Sequence, residues 1–164
     1  MRSPVIVDSN VPIVANDINT HADLACVESC IQKLIEIQSS NRVILDISGF
    51  VLTEYQRHLS HRGQPGLGDA FFKWLWDNQA QTSLCTQIDI SPTDDSGTTF
   101  DVFPDDPELV GFDLSDRKFV ALALASPEFA PIVNATDTDW SIFRIPLSAH
   151  GIQIDFLCPQ HTGG

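Results

Sequence analysis

Positive charge is what this chain has least of. Nine lysines and arginines stand against 22 aspartates and glutamates, for a formal net charge of -13. That balance is the reverse of the basic footprint of proteins that hold phosphate backbones by surface charge. It fits plain solubility and an acidic loop, and it also fits a cation site neutralised only when metal is present. No apolar run approaches the ~20 residues a membrane span needs, so no membrane role is expected. Internal repeats and low-complexity tracts are absent. So is a paired C-x-x-C: Cys26, Cys30, Cys85 and Cys158 fall in three separate segments. Cys26 and Cys30 lie four apart, the spacing of one helix face, and all four cysteines are expected as buried free thiols because cytosolic disulfides are rare. A zinc site would have to recruit His21, His150 or His161, and no spacing supports one. Met1-Arg2-Ser3-Pro4 runs into a strand without an apolar signal region, so the expected compartment is the cytoplasm.

What is present is enough for one core: 164 residues, 43% of them apolar, read as a single domain over 1–164. Val5-Ile6-Val7 is a short apolar run that stops on Asp8, the pattern of a buried parallel strand. Arg42 to Leu45, ending at Asp46, and Pro131 to Ala135, leading to Asp137 and Asp139, repeat the design. Ser83 to Ile90 alternates as an edge strand does, and Ile152 to Leu157 supplies a fifth strand. Between them, Thr20 as N-cap with Asp23 at the capping-box position opens a helix of about five turns, carrying Val27, Cys30, Ile31 and Leu34 and broken at Gln38 to Asn41. Further helices are expected over Val51 to Ser60, over Ala70 to Gln79 with Asp69 as cap, and over Arg117 to Ser126. Residues 93–112 form a long acidic loop with one helical turn at Asp106 to Val110; loops of that length are usually functional or mobile. A β-α-β order of this kind is parallel and right-handed, so the strands share one C-terminal edge.

Ligands of open α/β sheets bind outside that edge, and acids gather there. Asp8, Glu54, Asp116 and Asp137 are the leading candidates, with Asp46, Asp113 and Asp139 behind them. Singly each has an ordinary explanation: a strand-end hydrogen bond for Asp8, surface exposure for Glu54, a helix cap for Asp116, a turn for Asp137. Glu54, though, falls on a half-apolar helix face, where a carboxylate is costly unless paired with a cation. Like charges about 4 Å apart repel by roughly 4 kcal/mol at an effective dielectric near 20, so acids collected in one cleft imply bound cations. An all-oxygen donor set suits Mg²⁺ or Mn²⁺ better than zinc.

In order and context these acids resemble the PIN-domain family of metal-dependent nucleases. The resemblance lies in Val5-Ile6-Val7-Asp8-Ser9-Asn10-Val11, in Glu54, in Asp116-Arg117-Lys118-Phe119-Val120-Ala121-Leu122-Ala123, and in Thr136-Asp137-Thr138-Asp139-Trp140. Asp46-Ile47-Ser48-Gly49-Phe50-Val51-Leu52-Thr53-Glu54-Tyr55 looks like a less common variant, distinct from the short toxin-type members. The resemblance implies a three-layer α/β/α sandwich around a mostly parallel sheet of four or five strands. It implies Asp8, Glu54, Asp116 and Asp137, joined by Asp139, as direct or water-mediated ligands of one or two Mg²⁺ or Mn²⁺ ions that activate water against single-stranded RNA. Asn10 and Asp139 would orient waters, and Asp113, like Asp46, would support the site. Lys118, Arg57 and Arg62 are the candidates for touching phosphate. An inhibitory or accessory protein, a toxin–antitoxin setting and a homodimer are expectations of the same kind. Two other classes compete: a binding module on the same fold without turnover, and a receiver-like domain with Asp46 as phosphoacceptor and Lys118 beside it.

Overall fold

The computed structural model describes residues 1–18 and 21–163. Five parallel strands form the sheet: β1 (Ser3–Val7), β2 (Asn41–Asp46), β3 (Cys85–Ile88), β4 (Ile132–Asn134) and β5 (Ile154–Phe156). Their order is β3-β2-β1-β4-β5, with Val5 opposite Val43 and Val7 opposite Val133 in register. The apolar runs read from the sequence are the strand interiors. Val5 to Val7, Val43 to Leu45 and Ile132 to Val133 are all buried, as strands covered on both faces require. β3 is an edge strand, as its alternation predicts, and the whole arrangement is a three-layer α/β/α sandwich.

Between the strands lie α1 (Asn10–Ala15), α2 (Leu24–Ser40), α3 (Phe50–His58), α4 (Leu67–Asn78) and α5 (Arg117–Ala125). α1, α2 and α4 pack on one another, and α3 packs on α5. The approach of α4 to α1 is close: a Cβ on Gly68 would stand 1.8 Å from the Pro12 carbonyl oxygen. α6 (Asp139–Ile142), α7 (Arg144–Ala149) and α8 (Pro159–Thr162) follow β4 and β5 and have no counterpart in the sequence reading. The loop between β3 and α5 is fastened rather than free. Pro92 bridges Phe100, a 3-10 turn falls at Pro107–Leu109 where one is expected, and the Arg117 guanidinium lies over the Phe103 ring while donating to the Val110 carbonyl at 2.9 Å.

Several boundaries move for local reasons. The expected cap Thr20 lies outside the described residues. The N-cap of α2 is Asp23, whose carboxylate accepts from Cys26 N–H at 2.8 Å. α2 does not break at Gln38 but runs on to Ser40, directly against β2. α4 starts at Leu67 instead of Ala70, with Asp69 inside its first turn and reaching back to Gly66 N–H at 2.9 Å. The expectation of four free thiols is corrected: Cys26 and Cys158 form a disulfide, 132 residues apart, and only Cys30 and Cys85 are free and buried. The chain after β5 turns back onto the first turn of α2 and sets the two Cα atoms 5.3 Å apart, within bridging range. Nothing in local spacing carries that information. Among the described residues, no helix is long and apolar enough to cross a membrane.

Candidate metal centre

In a sheet of order β3-β2-β1-β4-β5 the winding reverses between β1 and β4, and the crevice outside their carboxyl ends is where such folds place ligands. Asp8 sits there, one residue past β1, its N–H donating to the Val133 carbonyl of β4 at 3.1 Å. Its side chain is fixed from two sides: Oδ2 accepts the Trp140 indole N–H at 2.7 Å and Oδ1 accepts Asn10 N–H at 3.2 Å. Burial pushes its carboxyl up to about 7. The Trp140 bond opposes that rise, and the nearby charge of Glu54 adds to it.

Asp116 arrives from the far side of the chain, on the turn that opens α5. It is 5% exposed, and its Oδ2 has no hydrogen-bond partner among the described residues. Although it occupies the N-cap position of α5, its side chain makes no cap bond. Burial first, then the charge of Asp8, then contact with Asp137 push its carboxyl up to about 10. Oxygens of Asp8, Asp116 and Asp137 lie within 4.8 Å of one another, and so do oxygens of Asp113, Asp116 and Asp139. Asp116 thus belongs to both groups. Asp139, half-buried, is raised by burial, although it accepts Asp113 N–H at 3.1 Å.

The turn after β4 presents these acids by way of Asn134, the one polar side chain in that buried strand. Its Nδ2 donates to the Asp137 carbonyl at 3.0 Å and its Oδ1 accepts from Asn10 Nδ2 at 2.8 Å. Asn10 in turn accepts Ala135 N–H at 2.8 Å. Asn10 therefore braces β1 against the β4 turn. Asp137 Oδ1 accepts Asp139 N–H at 3.0 Å, so the two neighbours curl around one point.

The other sequence candidates are placed differently. Glu54 is beside the crevice, but Oε2 accepts the Ser9 hydroxyl at 2.6 Å and Oε1 lies 2.6 Å from Lys118 Nζ. It offers no oxygen to either three-acid group. Lys118 is held by that pair and by the Ser115 carbonyl, with side-chain exposures of 7% for Lys118 and 11% for Glu54. This is an internal ion pair and not a free phosphate contact. Asp46 uses both oxygens on the first turn of α3, accepting Phe50 N–H at 2.7 Å and Val51 N–H at 2.9 Å, and so caps that helix. Arg57 and Arg62 are exposed, Arg57 near Glu54 on α3 and Arg62 in the following loop.

Trp140, Asn134 and Ser9 were not singled out from the sequence. Asn134 had a signal, a polar residue closing an otherwise apolar run. Trp140 had the position directly after Asp137-Thr138-Asp139, although a tryptophan reads first as core. Compared with protein-family models, curated proteins and solved structures, the chain matches none. The PIN resemblance therefore rests on the sequence motifs alone.

Proposed function

We propose that the protein is a PIN-like hydrolase, a ribonuclease that cleaves phosphodiester bonds of single-stranded RNA with Mg²⁺ or Mn²⁺ held by Asp8, Asp116 and Asp137, and by Asp113 and Asp139 at a second position sharing Asp116. The observation that carries the proposal is the Asp116 carboxylate, buried with one oxygen unpartnered in the middle of four other acids. Burying such a group without a counter-charge is unfavourable, and an all-carboxylate donor set is what hard divalent ions take. A divalent ion in such a site supplies an activated water and neutralises the charge of the phosphate. The chain's own groups fix the geometry: Trp140 and Asn10 aim Asp8, Asn134 shapes the turn that carries Asp137, and Asp113 N–H orients Asp139. Glu54 enters as the partner that keeps Lys118 in the wall of the crevice. Both oxygens of Asp46 are occupied by helix N–H groups, which leaves a phosphoacceptor role unsupported.

The cytoplasm stays part of this proposal. Against it stands the Cys26–Cys158 bridge, which reducing compartments disfavour. The function is tested with single-stranded RNA: cleavage is abolished by EDTA and restored by Mn²⁺, Asp137→Asn removes nearly all of it, and Asp139→Asn removes part. Cleavage that persists in excess chelator, or the reverse ranking of the two variants, overturns the assignment.

A further inference from the structure

We propose that the small cavity between α3, the tip of the long loop and the turn before α5 holds one phosphate group of the nucleic acid, flanking the group that lies at the carboxylates, with Arg57 as its anchoring cation. The identity of the ligand rests on the nuclease reading; the anion site itself does not.

The nine basic side chains narrow the choice. Arg2 is spent on the Gln38 and Asn41 carbonyls and Arg117 on those of Val110 and its neighbours. Lys33, Arg42, Lys73 and Lys118 are paired with carboxylates. Arg57, Arg62 and Arg144 are exposed, and among the described residues no ion pair or hydrogen bond engages their guanidinium groups. Of the three, Arg57 lines a cavity of about 100 Å³, together with Thr53, Glu54, Thr98, Ser115 and Lys118. That volume has room for a few water-sized atoms, the scale of a tetrahedral oxyanion.

The lining suits an anion despite the charge of the whole chain. The Glu54 charge is cancelled by Lys118 at 2.6 Å, which leaves the wall with the positive charge of Arg57. Thr53 and Thr98 add hydroxyls. Arg57 follows Glu54 by three residues on α3, so the guanidinium stands one turn along the same face. Glu54 in turn accepts the hydroxyl of Ser9, the neighbour of Asp8, at 2.6 Å, and Ser115 of the lining directly precedes Asp116. The cavity and the acidic crevice are therefore neighbours across one side chain. The loop wall is seated firmly. Gly97 has φ +70°, and a Cβ there would stand 2.8 Å from the Phe50 ring, so the tip closes directly on the first turn of α3. A planar guanidinium that can donate two parallel N–H bonds is the group that best grips phosphate oxygens.

The test titrates metal-free protein in EDTA with inorganic phosphate, read by amide NMR shifts. Saturable shifts at Thr53, Arg57, Gly97 and Ser115 are expected, lost in Arg57→Gln and kept in Arg144→Gln. With short single-stranded RNA and Mn²⁺, Arg57→Gln is expected to raise KM about tenfold, the scale of one charge-assisted contact. Shifts located elsewhere, or unchanged in Arg57→Gln, overturn the subsite even if RNA is cleaved. Shifts at Arg57 without any metal-dependent cleavage support the anion site and overturn the nuclease reading alone.

Discussion

Replacing Asp116 by asparagine is expected to stabilise the metal-free protein while abolishing its activity. In the unfolded chain the carboxyl titrates near its ordinary 3.8, whereas in the fold it is pushed up to about 10 by burial and by Asp8 and Asp137. Between those values the native state binds more protons than the unfolded state, so stability falls as pH rises. At pH 7 the fold retains a proton that the unfolded chain has released. Each of the roughly three pH units between is worth about 1.4 kcal/mol, giving an upper figure of about 4 kcal/mol. Relaxation of the site and entry of water take back part of that penalty, and a net gain of about 2 kcal/mol is expected for the variant. In a domain of this size that corresponds to roughly 4 to 8 °C in Tm. No helix cap is lost, because the Asp116 side chain makes no cap bond to α5. The assay is thermal unfolding of wild type and Asp116→Asn in EDTA at pH 4, 5.5 and 7, repeated with Mn²⁺. The two proteins should melt close together near pH 4, where only about half of the unfolded carboxyls have lost the proton that the fold retains, and separate as pH rises. Mn²⁺ should raise the wild type more, through binding to the native state. A variant that melts at or below wild type at pH 7 in EDTA, with an equal response to Mn²⁺, would refute the shared site.

Two further predictions concern groups that the fold withdraws from chemistry. Lys118→Met leaves Glu54 buried without its partner and should cost about 3 to 5 kcal/mol in urea unfolding, whereas the double variant with Glu54→Gln should regain much of it; equal losses in single and double variants would mean the pair is not coupled. Asp46→Ala removes two bonds to the first turn of α3 and should lower stability by about 1 to 2 kcal/mol while leaving Mn²⁺ affinity unchanged, as calorimetric titration would show. Loss of Mn²⁺ binding in that variant would return Asp46 to the metal site.

Local pattern determined much of this protein. Apolar runs ending on acids located β1 and β2, and the run leading to Asp137 located β4, because a strand buried on both faces must be continuously apolar, and helical spacing located α2 and α5 because one face of each has to meet the sheet. Parallel order, and with it a common edge for Asp8, Asp116 and Asp137, followed from the alternation of strands and helices. What local pattern could not separate was Asp8 from Asp46, since each closes a buried strand. The tertiary structure separates them. β1 borders the reversal of the sheet, where Asp8 faces the β4 turn and Trp140. β2 lies away from it, and Gly49 at φ +85° turns the chain so that the N–H groups of α3 point back at Asp46. The same holds for Glu54, whose cation turned out to be Lys118, 64 positions away, and for Cys26, whose thiol met that of Cys158. Period and capping are written over a few residues. The choice of partner for a buried charge or thiol is made by whichever distant segment the packed layers bring within bonding distance, and sequence spacing does not encode that distance.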